Sequence, residues 1–149
     1  MVYALLRQGR RSLPGQVYFL TTVTYERRPV FTEFARARLV INEMRRLHDT
    51  ALVSSLAWVV MPDHIHWLVA LGHTHSPSIM VKMLKGRTAQ SGYRCAARRG
   101  PLWQNGFFEH ALRKEEDLAT VARYIVANPV RKGLVRRVGD YPHWDAIWL

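Results

Sequence analysis

The sequence predicts an α+β domain, a ferredoxin-like antiparallel four-stranded sheet in the order β-α-β-β-α-β with a third helix on the opposite face. Three observations predict it. Runs of β-branched and aromatic residues alternate with stretches of helical spacing in that order. The two residues Pro62 and Asp63 join two of the strand-like runs, and so short a link forces those strands to be antiparallel. At 149 residues the chain has the size of one domain, about 100–150 residues. Such a chain buries roughly two-thirds of its unfolded surface and needs neither a disulfide nor a metal to fold.

Residues 1–16 read as a basic arm, with Arg7, Arg10 and Arg11 ahead of the turn signal Leu13-Pro14-Gly15. Val17 to Tyr25 is a first strand, running into the basic loop Glu26-Arg27-Arg28-Pro29. Thr32 is placed to cap a helix in which Phe34, Ala37, Ile41, Met44 and Leu47 recur at helical spacing, ending near His48-Asp49. Leu52 to Met61 is a second strand, and His64 opens a third. Ser78 is placed to cap a second helix to about Ala97, with Ile79, Met83 and Leu84 inward and Lys82, Lys85 and Arg87 outward. Phe107 to Arg113 is a fourth strand. Glu115, Glu116 and Asp117 then open a third helix, where the dipole favours negative charge. Leu118, Val121, Ala122 and Ile125 form its apolar face, and Pro129 ends it close to Asn128. Residues 132–149 form a C-terminal tail, so residues 1–149 make a single domain.

Composition narrows the function classes. Twenty-two Lys and Arg against 11 Asp and Glu give a formal net charge of +11. That excess costs folding energy through self-repulsion, and an anionic partner is its usual explanation. Arginine predominates, and its planar fork binds phosphate in a bidentate way. The lone cysteine, Cys95, has no partner for an internal disulfide, which favours a reducing, cytoplasmic setting. No apolar run approaches the roughly 20 residues of a membrane span, and the start of the chain lacks a signal-peptide pattern. No membrane partner is expected.

The chemistry gathers at Met61-Pro62-Asp63-His64-Ile65-His66-Trp67. Side chains alternate along a strand, so His64 and His66 share one face. In the predicted topology the first and third strands are central. Ile65, Trp67 and Val69 then pack on the two crossover helices, and the histidines face the third helix. That helix carries Tyr124 and Asn128, four apart and stacked on one side. Two imidazoles and an amide oxygen make a three-ligand site with open positions, and a phenol lies one turn away. Asp63 has two readings, a turn former before a strand or a partner that orients a histidine.

Met61-Pro62-Asp63-His64-Ile65-His66 together with Tyr124-Ile125-x-x-Asn128-Pro129-Val130 resembles the IS200-like single-tyrosine transposase family, in its REP-associated branch. Tyr18-Phe19-x-Thr21, Arg28-Pro29-x-Phe31, Leu84-Lys85-Gly86, Trp103-Gln104-x-x-Phe107 and Glu109-His110-x-x-Arg113 extend the resemblance from about residue 14 to 142 in the family's order. The resemblance implies a metal-dependent nuclease and strand transferase of the HUH class, acting on single-stranded DNA that carries a palindromic hairpin. It assigns Tyr124 as the nucleophile that forms a 5′-phosphotyrosine. His64, His66 and Asn128 are the implied ligands of a divalent metal, Mg²⁺ or Mn²⁺. Some IS200-like enzymes are dimers that exchange catalytic helices and the REP-associated branch need not be, so the implied state is monomer or homodimer.

For DNA, arginines and lysines would grip stem phosphates, and unpaired bases would stack on aromatics and meet amides. The candidates are Arg10, Arg11, Arg27, Arg28, Lys85, Arg87, Arg113 and Lys132 for phosphate, and Trp103 and Gln104 for bases. Trp103 also reads as a core residue. The main rival is a non-catalytic nucleic-acid-binding module on the same fold. A reader of that kind wants exposed aromatics on its central strands, and here that face carries histidines.

Overall fold

The computed structural model describes residues 16–72, 75–95, 100–113 and 117–147, with the main chain alone for 92–95. In chain order it forms β1 (Val17–Val23), α1 (Phe34–Asp49), β2 (Val53–Val60), β3 (His64–Leu71), α2 (Pro77–Cys95), β4 (Phe108–Ala111), α3 (Leu118–Val126), the single turn α4 (Asn128–Arg131) and β5 (Trp144–Ala146). The sheet order is β4-β1-β3-β2-β5, every pairing antiparallel. The central place of β1 and β3 follows the expectation from the sequence.

The sheet has one strand more than the sequence predicts. Part of the expected tail, Trp144–Ala146, pairs along β2 with Ala57 opposite Ala146 and Val59 opposite Trp144. Three residues carry no readable alternation. They are held by β2's free edge, by the burial of Ala146, and by Tyr141, whose hydroxyl donates to the Val60 carbonyl at 2.5 Å.

Two apolar layers flank the sheet. On one side Leu20, Ile65, Trp67 and Val69 pack with Ala37, Val40, Ile41, Met44 and Leu47 of α1 and with Met80, Val81 and Leu84 of α2. On the other, Val17, Val59, Leu68 and Ala70 pack with Leu118, Ala122, Ile125 and Val126 of α3. Alternation along β3 thus sends Trp67 to one layer and Leu68 to the next, as predicted. A helix of 9 residues such as α3 is marginal alone. Each buried Leu, Ile or Val of its inner face contributes roughly 1.5–3 kcal/mol, which fixes it to the sheet.

Helix starts and faces differ in detail from the sequence reading. The Thr32 hydroxyl donates to the Pro29 carbonyl at 2.8 Å, and α1 begins after Glu33 with no side-chain cap. Phe34 lies outside the core at 63% exposure, and Val40 completes the buried face instead. The second helix opens on Pro77, whose missing N–H costs nothing in a first turn, and Ser76 rather than Ser78 accepts from the Ile79 N–H at 3.3 Å. This start turns Ile79 outward and Met80 and Val81 inward. Asp117 caps α3 by accepting from the Ala119 N–H at 3.0 Å, while Glu115 and Glu116 lie outside the described residues.

Candidate active site

The turn before β3 is pinned from several sides. The Asp63 carbonyl accepts from the Thr24 N–H at 2.9 Å and from its hydroxyl at 3.0 Å. The Pro62 carbonyl accepts from Phe31 N–H at 3.0 Å, and Met61 N–H donates to the His64 carbonyl at 2.8 Å. Fixed main chain leaves the Asp63 side chain free for a second task. Its Oδ1 lies 2.6 Å from His64 Nδ1, and its Oδ2 accepts a long, 3.4 Å contact from Arg27. Asp63 thus sits in the connecting turn through its main chain, and its carboxylate lies against His64.

A carboxylate beside Nδ1 accepts a hydrogen bond from that ring nitrogen and keeps the proton there, so His64 presents a lone pair at Nε2. His66 also has a partner at Nδ1. In the β1–β3 register Thr21 stands opposite His66, and its hydroxyl lies 2.8 Å from His66 Nδ1. Phe19 packs against the His66 ring at 5.2 Å between centroids. The two imidazoles meet edge to face, 4.6 Å apart. Burial pushes His66 down to about 3, and the nearby charges of His64, Arg131 and Lys132 push the same way. Burial also lowers His64, against the opposing pull of Asp63. Both rings are neutral at physiological pH, the form in which imidazole ligates a metal.

The break between α3 and α4 brings a third polar side chain to the histidines. Proline at 129 has no N–H for the Ile125 carbonyl, and its ring crowds that carbonyl, so the helix stops at Val126 and restarts one residue later. The restart carries Asn128 inward to 3% exposure, with its amide nitrogen 3.2 Å from His64 Nε2. Tyr124, one turn earlier, stays 56% exposed. Arg131 ties the two together. Its Nη1 donates to the Tyr124 carbonyl at 2.6 Å, its Nη2 to Asn128 Oδ1 at 3.3 Å, and its guanidinium carbon lies 3.8 Å from the Tyr124 ring centroid. Sequence reasoning missed Arg131. The available signal was its spacing, seven residues after Tyr124 and three after Asn128, which keeps all three on one helical side.

The predicted DNA contacts divide. Arg27 is tied to the Asp63 turn, Arg28 lies on the same loop over the Tyr25 ring, and exposed Lys132 follows α4 close enough to act on both histidines. Lys85 and Arg87 belong to α2, on the far side of the sheet. Lys85 is half-buried and donates to the carbonyls of Gln104 and Gly106 at 2.8 and 2.5 Å, while Arg87 lies 3.5 Å from Glu43. Arg113 is exposed just past β4, Gln104 is exposed beside Trp103, and Arg10 and Arg11 lie outside the described residues. Trp103 is a correction. It is 6% exposed within the first apolar layer, and its indole N–H donates to Thr88 Oγ1 at 2.9 Å, so it offers no face for a base.

Among the described residues no three His, Cys, Asp or Glu side chains are arranged to hold a metal ion by themselves, and the amide of Asn128 is the further polar group beside the two imidazoles. Residues 14–128 match the model of the IS200-like transposases. The chain belongs to the IS200-like transposase family. It is thus an enzyme of the tyrosine-transposase kind, and the match spans both the histidine strand and the Tyr124–Asn128 turn. The transposase is 30% identical over 137 residues to the REP-associated tyrosine transposase of Escherichia coli, covering 89% of this chain and 78% of that one. A Haemophilus influenzae protein assigned to the same group is 31% identical over 144 residues, covering 87% and 78%. A solved REP-associated tyrosine transposase bound to a REP hairpin superposes with a TM-score of 0.74 at 25% identity, covering 87% of this chain and 76% of that one. A Deinococcus radiodurans protein assigned as a transposase shares the fold, with a TM-score of 0.56 at 24% identity over 73% of this chain and 87% of that one. Among the described residues no helix is long and apolar enough to cross a membrane.

Proposed function

We propose that this transposase cuts and rejoins single-stranded DNA beside a hairpin, with Tyr124 as nucleophile and a divalent metal held by His64, His66 and Asn128. The observation that carries the reading is the buried 3.2 Å contact between His64 and Asn128. It joins the histidine strand to the turn that directly follows the helix bearing Tyr124. Two neutral imidazole nitrogens and an amide oxygen suit a divalent ion of the Mg²⁺ or Mn²⁺ kind, the imidazoles shifting preference towards Mn²⁺. Bound there, such an ion supplies Lewis acidity towards a non-bridging phosphate oxygen.

The protein's own residues do the rest. Asp63 and Thr21 hold the two rings by Nδ1, which leaves the other ring nitrogen, Nε2, as the one to offer a metal. The Tyr124 oxygen attacks phosphorus, the new bond being tyrosine O–P and the broken one P–O3′. The proton of the phenol goes to the departing 3′-oxygen, leaving a 5′-phosphotyrosine and a 3′-hydroxyl. Bond energy is conserved in the adduct, so a 3′-hydroxyl reverses the step without ATP. Arg27 and Lys132, whose charges reach the histidines, and Arg28 beside Arg27 on the same loop are the groups that would hold the flanking phosphates, which predicts a steep salt dependence. The hairpin partner follows the solved relative and the net charge of +11.

The test uses labelled single-stranded hairpins with Mn²⁺. A covalent protein–DNA adduct mapping to Tyr124 is expected, and Tyr124→Phe abolishes it while hairpin binding stays within about twofold, because only the hydroxyl is removed. Continued cleavage by Tyr124→Phe would overturn the reading in favour of water as nucleophile. Binding without any cleavage by the unsubstituted protein would favour a non-catalytic module.

A further inference from the structure

The orientation of the Asn128 amide follows from its neighbours. Asp63 accepts a hydrogen bond from the Nδ1–H of His64, so Nε2 presents a lone pair and the group 3.2 Å away has to be a donor, the amide nitrogen. That turns the amide oxygen towards Arg131, whose Nη2 donates to it. A cation shared by His64 Nε2 and Asn128 calls for the reverse. The amide has one oxygen to give, and its nitrogen has no lone pair to offer. Turning the amide over sets its NH₂ against the guanidinium, donor against donor. The metal and Arg131 therefore compete for one oxygen atom.

Arg131 holds more than Asn128. The same guanidinium lies on the Tyr124 ring and donates to the Tyr124 carbonyl, a set of contacts that needs the planar fork of arginine. We propose that Arg131 is a positioning residue that links metal binding to the nucleophile, yielding the Asn128 oxygen when the cation binds and leaving its Nη2 beside Tyr124 to receive a phosphate oxygen. This rests on the metal site assigned above. Coupling of this kind is reciprocal: the cation weakens the hold of Arg131 on Asn128, and Arg131 weakens the hold of Asn128 on the cation by the same factor. DNA phosphate, arriving at the freed Nη2, then favours metal binding in turn.

Calorimetry with Mn²⁺ alone tests this on the intact chain. Arg131→Ala is expected to tighten Mn²⁺ binding by about three- to tenfold, the scale of one net hydrogen bond of ordinary strength, since the Arg131–Asn128 contact is a long 3.3 Å. An arginine that merely held the structure together would loosen binding on removal. Loss of a nearby positive charge would also tighten it, so the same substitution is made together with Asn128→Asp. A carboxylate has one oxygen for the metal and another for Arg131, which ends the competition. The tightening is then expected to shrink below twofold. A charge effect would be at least as large with the carboxylate, and that result, or no tightening by Arg131→Ala alone, overturns the proposal. Arg131→Met, which keeps the side-chain stem, gives the same reading if the alanine variant folds poorly. Absence of Mn²⁺ binding by the unsubstituted transposase would instead overturn the metal site itself.

Discussion

Asp63→Asn isolates the part of the site that sets the state of His64. The substitution preserves shape, and the bonds from the Thr24 N–H and hydroxyl to the residue-63 carbonyl that hold the turn are untouched. What it removes is the charge at 2.6 Å from Nδ1. An aspartate admits one arrangement, ring N–H to carboxylate. An asparagine admits two, because its amide can also donate to Nδ1 and send the proton to Nε2. In that second state Nε2 faces the Asn128 NH₂ as donor against donor and has no lone pair for a metal. Loss of such a supporting partner costs about 10–100-fold in metal affinity, or about 1.4–2.7 kcal/mol. The Arg27 ion pair adds little to this, since its contact is 3.4 Å long and its side chain is 64% exposed. Calorimetric titration with Mn²⁺ is expected to show the full loss, and adduct formation at limiting Mn²⁺ should fall in parallel. Unfolding stability changes by no more than about 1 kcal/mol, the worth of one exchanged hydrogen bond. A Mn²⁺ affinity within twofold of the parent would refute the reasoning, because it would mean that the tautomer of His64 is set elsewhere.

Two other predictions follow from burial. Trp103→Phe removes the indole donor to Thr88 Oγ1, which keeps its own bond to the Leu84 carbonyl, and is expected to cost about 0.5–1.5 kcal/mol in urea unfolding for that one hydrogen bond while leaving hairpin affinity unchanged. A large loss of affinity at unchanged stability would restore Trp103 as a base contact. His64, His66 and His143 are all held below their ordinary range by burial first of all. For a base depressed in the folded state the unfolded chain takes up the proton first, so stability is complete above about pH 6.5 and declines as the pH falls. His66 extends that decline towards its folded value of about 3. Urea midpoints measured from pH 7.5 down to 4 should fall less steeply in His66→Gln than in the parent, and parallel curves would sink the prediction.

Much of this arrangement is written in local sequence. Alternation over residues 64–69 puts both imidazoles on one face and Ile65, Trp67 and Val69 on the other. A link as short as Pro62-Asp63 permits only an antiparallel partner. Asn128-Pro129 ends a helix because proline has no N–H to give. Each of these follows from the geometry of a few neighbouring residues, so each was legible without the fold. The partners that set the chemistry were not. Thr21 reaches His66 across 45 positions of sequence and Asn128 reaches His64 across 64, and such contacts exist only once register and helix packing are settled. Trp103 went to the core because α2 offered it a hydroxyl, and the short β5 formed because β2 had a free edge. Tertiary structure also decided which way the Asn128 amide points. Alone, its oxygen and nitrogen are interchangeable by a rotation, and the lone pair of His64 with the guanidinium of Arg131 selects between them.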